Sequence, residues 1–127
     1  MAEAFLRATA GDLLEVHSAG AKPTARVHPL AIEAMDEIGL DLSAARPKSV
    51  GEFLGQHFHS VITVCNEADE VCPTFPGQVN RHHWSFDDPA KAKGGEEAVR
   101  TVFRRVRDEI RRVFEAYAAG WRDSRPR

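Results

Sequence analysis

The feature that most constrains the fold is the run Val61-Ile62-Thr63-Val64. A continuous apolar, β-branched stretch of this length has the pattern of a strand buried on both faces. Such a strand needs helices above and below it, and that points to a layered α/β protein with a mostly parallel sheet. The chain has 127 residues, the length of one compact domain.

The rest of the sequence supplies the helices. Val99, Val102, Phe103, Val106, Ile110, Val113, Phe114 and Tyr117 recur at spacings of three and four, which gives one apolar stripe on a long helix. Arginines and glutamates fill its other face. Ala2 to Arg7 are helix formers, with Gly11 suited to a C-terminal cap. No capping residue precedes this helix, so its natural start is expected upstream of Met1. Pro29 fits the first turn of a helix through Ala31, Ile32, Ala34, Met35 and Ile38, with Gly39 past its end. Ser49 and Glu52 have capping-box spacing before Phe53 and Leu54. Two further strands are expected, at Leu13–Ser18 and, more polar, at Val79–Ser85. A single α/β domain is expected over residues 1–120. A polar tail that frays is expected over 121–127.

Bulk properties exclude several function classes. Net charge is −2, so no basic field favours nucleic acid or an anionic membrane. No apolar run reaches the length of a membrane span, and no signal pattern opens the chain. The expected location is the cytoplasm. There, two cysteines are better suited to a transient redox event than to a permanent staple.

Those cysteines are Cys65 and Cys72. Cys65 directly follows the buried strand, and in open parallel sheets ligands bind beyond the carboxyl ends of the strands. The segment between the two cysteines could form one helical turn, and Pro73, Pro76 and Gly77 follow it. Such a segment could bring two sulfurs within the ~4.4–6.8 Å Cα separation of a disulfide. Alternatively, both cysteines are ordinary packing residues. A zinc site of Cys65, Cys72, His82 and His83 is a third reading, but the cysteine spacing exceeds that of a zinc knuckle and adjacent histidines rarely share one ion. No metal and no cofactor is therefore expected. Asp88, followed by Pro89, is either a turn or helix cap or a rigidly held general acid.

Taken together, Met1–Arg7, Ser18-Ala19-Gly20, Val64-Cys65 through Cys72-Pro73, His83-Trp84-Ser85-Phe86-Asp87-Asp88-Pro89-Ala90 and Val106–Ile110 resemble the thioredoxin-coupled arsenate reductases. These belong to the low-molecular-weight protein tyrosine phosphatase superfamily. The resemblance implies the three-layer fold of that superfamily and a relay of three thiols. The first cysteine, in a Cys-x5-Arg loop, attacks arsenic. The second attacks the first as arsenite leaves, and the third resolves the intermediate to a disulfide that thioredoxin reopens. By position Cys65 matches the second thiol, Cys72 the third, and Asp88 the acid that protonates the leaving oxygen. Glu3 and Ser18 match two ligands of a potassium ion held by some members, with the rest of its shell unplaced.

The 127 residues contain no Cys-x5-Arg: six positions after Cys65 stands Val71, and six after Cys72 stands Gln78. Met1 matches a position shortly after the loop arginine. The first strand and the loop are therefore expected to be missing and catalysis impaired. Losing a central strand removes ~6–12 kcal/mol of apolar burial, of the order of a domain's whole stability. Either the strands at Leu13–Ser18 and Val61–Val64 close directly, or a second copy of the chain pairs with the exposed edges as a homodimer. Two other functions stand beside the reductase reading: a phosphatase-like protein, and a non-catalytic module using Cys65 and Cys72 as a redox switch.

Overall fold

The computed structural model describes residues 1–19, 27–45, 48–53, 55–64 and 80–123. In chain order these form α1 (Ala2–Ala10), α2 (Pro29–Asp36), a 3₁₀ turn (Val50–Phe53), β1 (Ser60–Thr63), β2 (Asn80–His83), a second 3₁₀ turn (Pro89–Lys91) and α3 (Glu96–Asp123). The mixed helix–strand composition and the parallel pairing of β1 with β2 agree with the expected α/β class. Cys65, Cys72, Leu54 and Val79 lie outside the described residues.

Three helices build most of the core. Phe5, Leu6 and Ala10 of α1, Ala31, Ala34 and Met35 of α2, and Phe103, Val106, Ile110, Phe114 and Ala118 of α3 are all buried, together with Val16 and Leu42. The α3 residues fall on the three-and-four spacing read from the sequence. Ile62 of β1 and Trp84 and Phe86 beyond β2 pack onto the same core. This makes α3 the common wall of the helical layer and the sheet.

Local chemistry explains the helix ends. His28 caps α2, its Nδ1 accepting from the Leu30 amide at 3.1 Å, while its ring lies 4.7 Å from Phe103. At the other end each of the last four carbonyls finds a donor, as buried carbonyls must. Glu33 accepts from Glu37 N, Met35 from Ile38 N and Leu40 N, and Asp36 from Gly39 N. Ala34 accepts from Arg107 Nη1 at 2.8 Å. The Leu40 to Met35 bond needs a left-handed residue between them, and Gly39 supplies it with φ +81. The capping box forms as its spacing predicts: Glu52 Oε2 accepts from Ser49 N at 3.0 Å, and Ser49 Oγ accepts from Gly51 N at 3.2 Å.

Four expectations are corrected. Leu13–Ser18 is not a strand. Among the described residues β1 pairs with β2 alone, so direct closure onto this segment does not occur. The Val16 carbonyl accepts instead from Arg7 Nη2 at 2.7 Å, and the His17 ring sits 5.3 Å from Phe53 and 6.0 Å from Phe58. Side chains thus replace a ladder. Second, β1 is half-buried rather than fully covered, and Val64 lies beyond it, 40% exposed. Third, Gly11 caps α1 as expected, but in right-handed backbone (φ −62) rather than the left-handed form that favours glycine. It is tolerated for closeness, not for handedness: a Cβ there would collide with the Arg7 carbonyl. Fourth, α3 runs past residue 120 to Asp123. Arg122 donates to the Thr9 carbonyl at 2.7 Å and to Asp12 Oδ1 at 2.7 Å, which ties the last turn to the end of α1.

Candidate functional site

The parallel pairing fixes where the chemistry-bearing segments leave the sheet. Ser60 registers with Asn80, Val61 with Arg81, Ile62 with His82 and Thr63 with His83. Because the strands are parallel, both end at the same edge. There Trp84 N donates to Thr63 O at 2.9 Å, extending the ladder by one bond. From Thr63 the sequence runs through Val64 to Cys65, and from His83 through Trp84 and Ser85 to Asp88.

The Asp88 segment is anchored on one side and open on the other. Trp84 sits edge-on against Phe114 (5.4 Å between ring centroids) and Tyr117 (5.5 Å), and His82 stacks on it at 5.3 Å. Phe86 reaches Phe114 at 6.4 Å. Asp87 is held by Arg105 Nη2 of α3 at 3.2 Å. Aromatic burial at alternate positions therefore fixes the loop from beneath, worth ~0.5–1.5 kcal/mol per ring pair beyond area.

Asp88 itself is exposed and caps the turn Pro89–Lys91. Its Oδ1 accepts from Ala90 N at 3.0 Å, and its backbone is extended, at φ −82 and ψ 107. Both sequence readings of this residue meet in one geometry. One carboxylate oxygen satisfies the cap while the side chain stays open to solvent, so Asp88 could present a proton as well as cap the turn.

The two adjacent histidines do not converge. Alternation along β2 sends His82 toward Trp84 and Tyr117, the latter 5.7 Å away. His83 goes to the other face, where its Nδ1 lies 2.6 Å from Thr63 Oγ1 and its Nε2 3.1 Å from Ser85 Oγ. One ion could not take both rings. Among the described residues, no group of three or more histidine, cysteine or acidic side chains could hold a metal. The zinc reading thus loses its histidine half. From the sequence His83 reads as a metal ligand and as the first residue of the family-like segment 83–90. The usable signal was a hydroxyl residue, Thr63, at its register position with Ser85 two residues beyond.

Glu3 and Ser18 do come together, Ser18 Oγ donating to Glu3 Oε1 at 3.2 Å. The same carboxylate oxygen lies 3.5 Å from Lys48 Nζ and 3.7 Å from Arg7 Nη2. Two side-chain cations already balance that carboxylate, which leaves no charge for a bound potassium ion to neutralise. The residues therefore do not fit the ion.

Comparison with known proteins places this arrangement. The model of the low molecular weight phosphotyrosine protein phosphatase family matches residues 1–124. The chain is 43% identical over 118 residues to an arsenate reductase of Halalkalibacterium halodurans, covering 93% of this chain and 84% of that protein. Its fold superposes on a crystal structure of arsenate reductase from Archaeoglobus fulgidus with a TM-score of 0.75, at 27% identity, covering 93% and 87% of the two chains. A thioredoxin-dependent arsenate reductase of Corynebacterium glutamicum gives a TM-score of 0.60 at 28% identity, covering 91% of this chain and 53% of that one. With the parallel pair, the capped Asp88 turn and these likenesses in hand, the chain belongs to the low molecular weight phosphotyrosine protein phosphatase family, among its arsenate reductases.

Proposed function

We infer that this chain carries the later steps of arsenate reduction, with Cys65 and Cys72 as the second and third thiols and Asp88 as the general acid. The observation that carries the reading is the parallel register of Thr63 with His83. It starts the Cys65 and Asp88 segments from one sheet edge, in a chain 43% identical to a curated arsenate reductase.

The chemistry balances as follows. A first thiolate attacks arsenic(V), and Asp88 gives its proton to the departing oxygen, which leaves as water. The Cys65 thiolate attacks that first sulfur. The sulfur–arsenic bond breaks with its electron pair staying on arsenic, so arsenite leaves and a mixed disulfide remains. The Cys72 thiolate attacks Cys65 Sγ and releases the first thiolate, leaving the Cys65–Cys72 disulfide. Thioredoxin's dithiol then reduces that disulfide, and a reducing cytoplasm is the compartment in which the cycle would run. The 127 residues hold no Cys-x5-Arg, so the first thiol and the oxyanion cradle must be supplied from outside them, and by themselves they should turn over arsenate poorly.

The test is thiol titration before and after mild oxidation, followed by thioredoxin with its NADPH-driven reductase. Both thiols should be lost together and recovered with one equivalent of NADPH. Independent oxidation of Cys65 and Cys72, or a disulfide inert to thioredoxin, would sink the reading.

A further inference from the structure

At the sheet edge from which Cys65 and Asp88 set out, one ring spans both exits. Thr63, its register partner His83, and Ser85 lie on one face of the pair. His83 Nδ1 is 2.6 Å from Thr63 Oγ1 on one side and His83 Nε2 is 3.1 Å from Ser85 Oγ on the other. Two further bonds cross the strand ends here, from Trp84 N to Thr63 O at 2.9 Å and, longer, from Thr63 Oγ1 to the His82 carbonyl at 3.5 Å. Cys65 follows Thr63 by two residues and Asp88 follows Ser85 by three.

We propose that His83 is a positioning residue of the thiol relay, clasping the exit toward Cys65 to the exit toward Asp88. The proposal rests on the reading of Cys65, Cys72 and Asp88 given above. Three observations support it. Both ring nitrogens are engaged, so the imidazole is oriented at two points rather than one. Each partner is a hydroxyl, which can donate or accept. Either neutral tautomer can therefore keep both bonds. Finally, His83 is exposed, while its neighbours His82 and Trp84 do the packing on the opposite face. The ring is not there to fill the core.

The experiment follows the rate at which Cys65 and Cys72 pair at a fixed concentration of diamide. Its control is the alkylation rate of each thiol alone, measured in Cys72→Ser and Cys65→Ser backgrounds. His83→Ala and Thr63→Val should each slow pairing by roughly tenfold, the size expected when two reacting groups lose their alignment, while alkylation stays within about twofold. The double variant should be no slower than His83→Ala alone, because that variant already removes the tie to Thr63. Thr63→Ser should restore the wild-type rate, and Ser85→Ala, which deletes one exposed bond, should slow pairing in the same sense.

Pairing at the wild-type rate in His83→Ala overturns the proposal, as do additive losses in the double variant. A parallel drop in alkylation also overturns it, because the effect would then lie in thiol reactivity. If wild-type Cys65 and Cys72 do not pair with each other at all, the relay reading itself fails and the clasp falls with it. That outcome is visible before any variant is made.

Discussion

Arg107 on α3 donates from one nitrogen to two acceptors at the end of α2, the Ala34 carbonyl at 2.8 Å and Glu37 Oε1 at 2.9 Å. Its Nε donates to Asp108 at 2.9 Å, and the residue is buried. A single guanidinium thus closes one helix and fastens it to another. Replacing it by methionine keeps the apolar stem but leaves the Ala34 carbonyl unpaired, at an expected cost of about 1–3 kcal/mol. Urea denaturation of Arg107→Met should show this loss, with a smaller one in Arg107→Lys, which keeps the charge but not the planar fork.

Glu37 gives the protein an acid-sensitive seam. Arg104, hydrogen-bonded at 2.7 Å, and then Arg107 hold its carboxyl below the ordinary carboxylate range. A carboxyl depressed in the folded state stabilises the fold at any pH above its unfolded value of about 4.3. That contribution is lost as pH falls through this value and down to the folded one. Denaturation midpoints measured from pH 7 to pH 3 should fall more steeply for wild type than for Glu37→Gln, which has no proton to take up.

Gly39 has room around it: among the described residues, no atom beyond its two chain neighbours lies within 4 Å of where its Cβ would sit. Its φ of +81 therefore sets the whole cost of substitution. Gly39→Ala should destabilise by about 1–2 kcal/mol, the cost of left-handed backbone for an L-residue. Gly39→Asn should lose less, because asparagine visits that region more readily. Thermal melts of the two variants side by side decide it.

Asp88 has two jobs that substitution can separate. Asparagine keeps an oxygen for the Ala90 amide, so Asp88→Asn should leave the melting temperature nearly unchanged; alanine loses the cap and should cost about 0.5–1 kcal/mol. In a polypeptide that joins a Cys-x5-Arg loop to this chain, both variants should lower arsenate turnover by roughly 10²–10⁴-fold. Arsenite release under single-turnover conditions reads this directly. Equal activity of Asp88→Asn and wild type would remove the acid role and leave the cap.

Elements that were legible in the sequence are those whose cause is local. The stripe from Val99 to Tyr117, the Ser49–Glu52 box and the Gly39 stop each depend on residues within a turn or two, and each is found in place. What failed depended on distant partners. Leu13–Ser18 has strand-like composition, but a strand exists only with a neighbour, and here Arg7 and two phenylalanines hold the segment instead. Trp121 and Arg122 read as a polar tail because Thr9 and Asp12, which hold that turn, are more than a hundred positions away. Arg107 reads as one more arginine on a charged face because its partner Glu37 at the end of α2 lies 70 positions away. The candidate site divides in the same way: Asp88 was legible from its proline, whereas the role of His83 needed the register of Thr63.

The bond from Arg122 to the Thr9 carbonyl joins residues 113 positions apart, and it has a consequence for how the protein is made. On the ribosome α1 emerges well before α3, whose apolar residues share one core with Phe5, Leu6 and Ala10. Until α3 follows, the face of α1 that α3 covers stays open, and the growing chain carries that apolar surface uncovered. A message cut short before α3 therefore yields no smaller version of this domain. It yields a product that chaperones must shield or proteases remove.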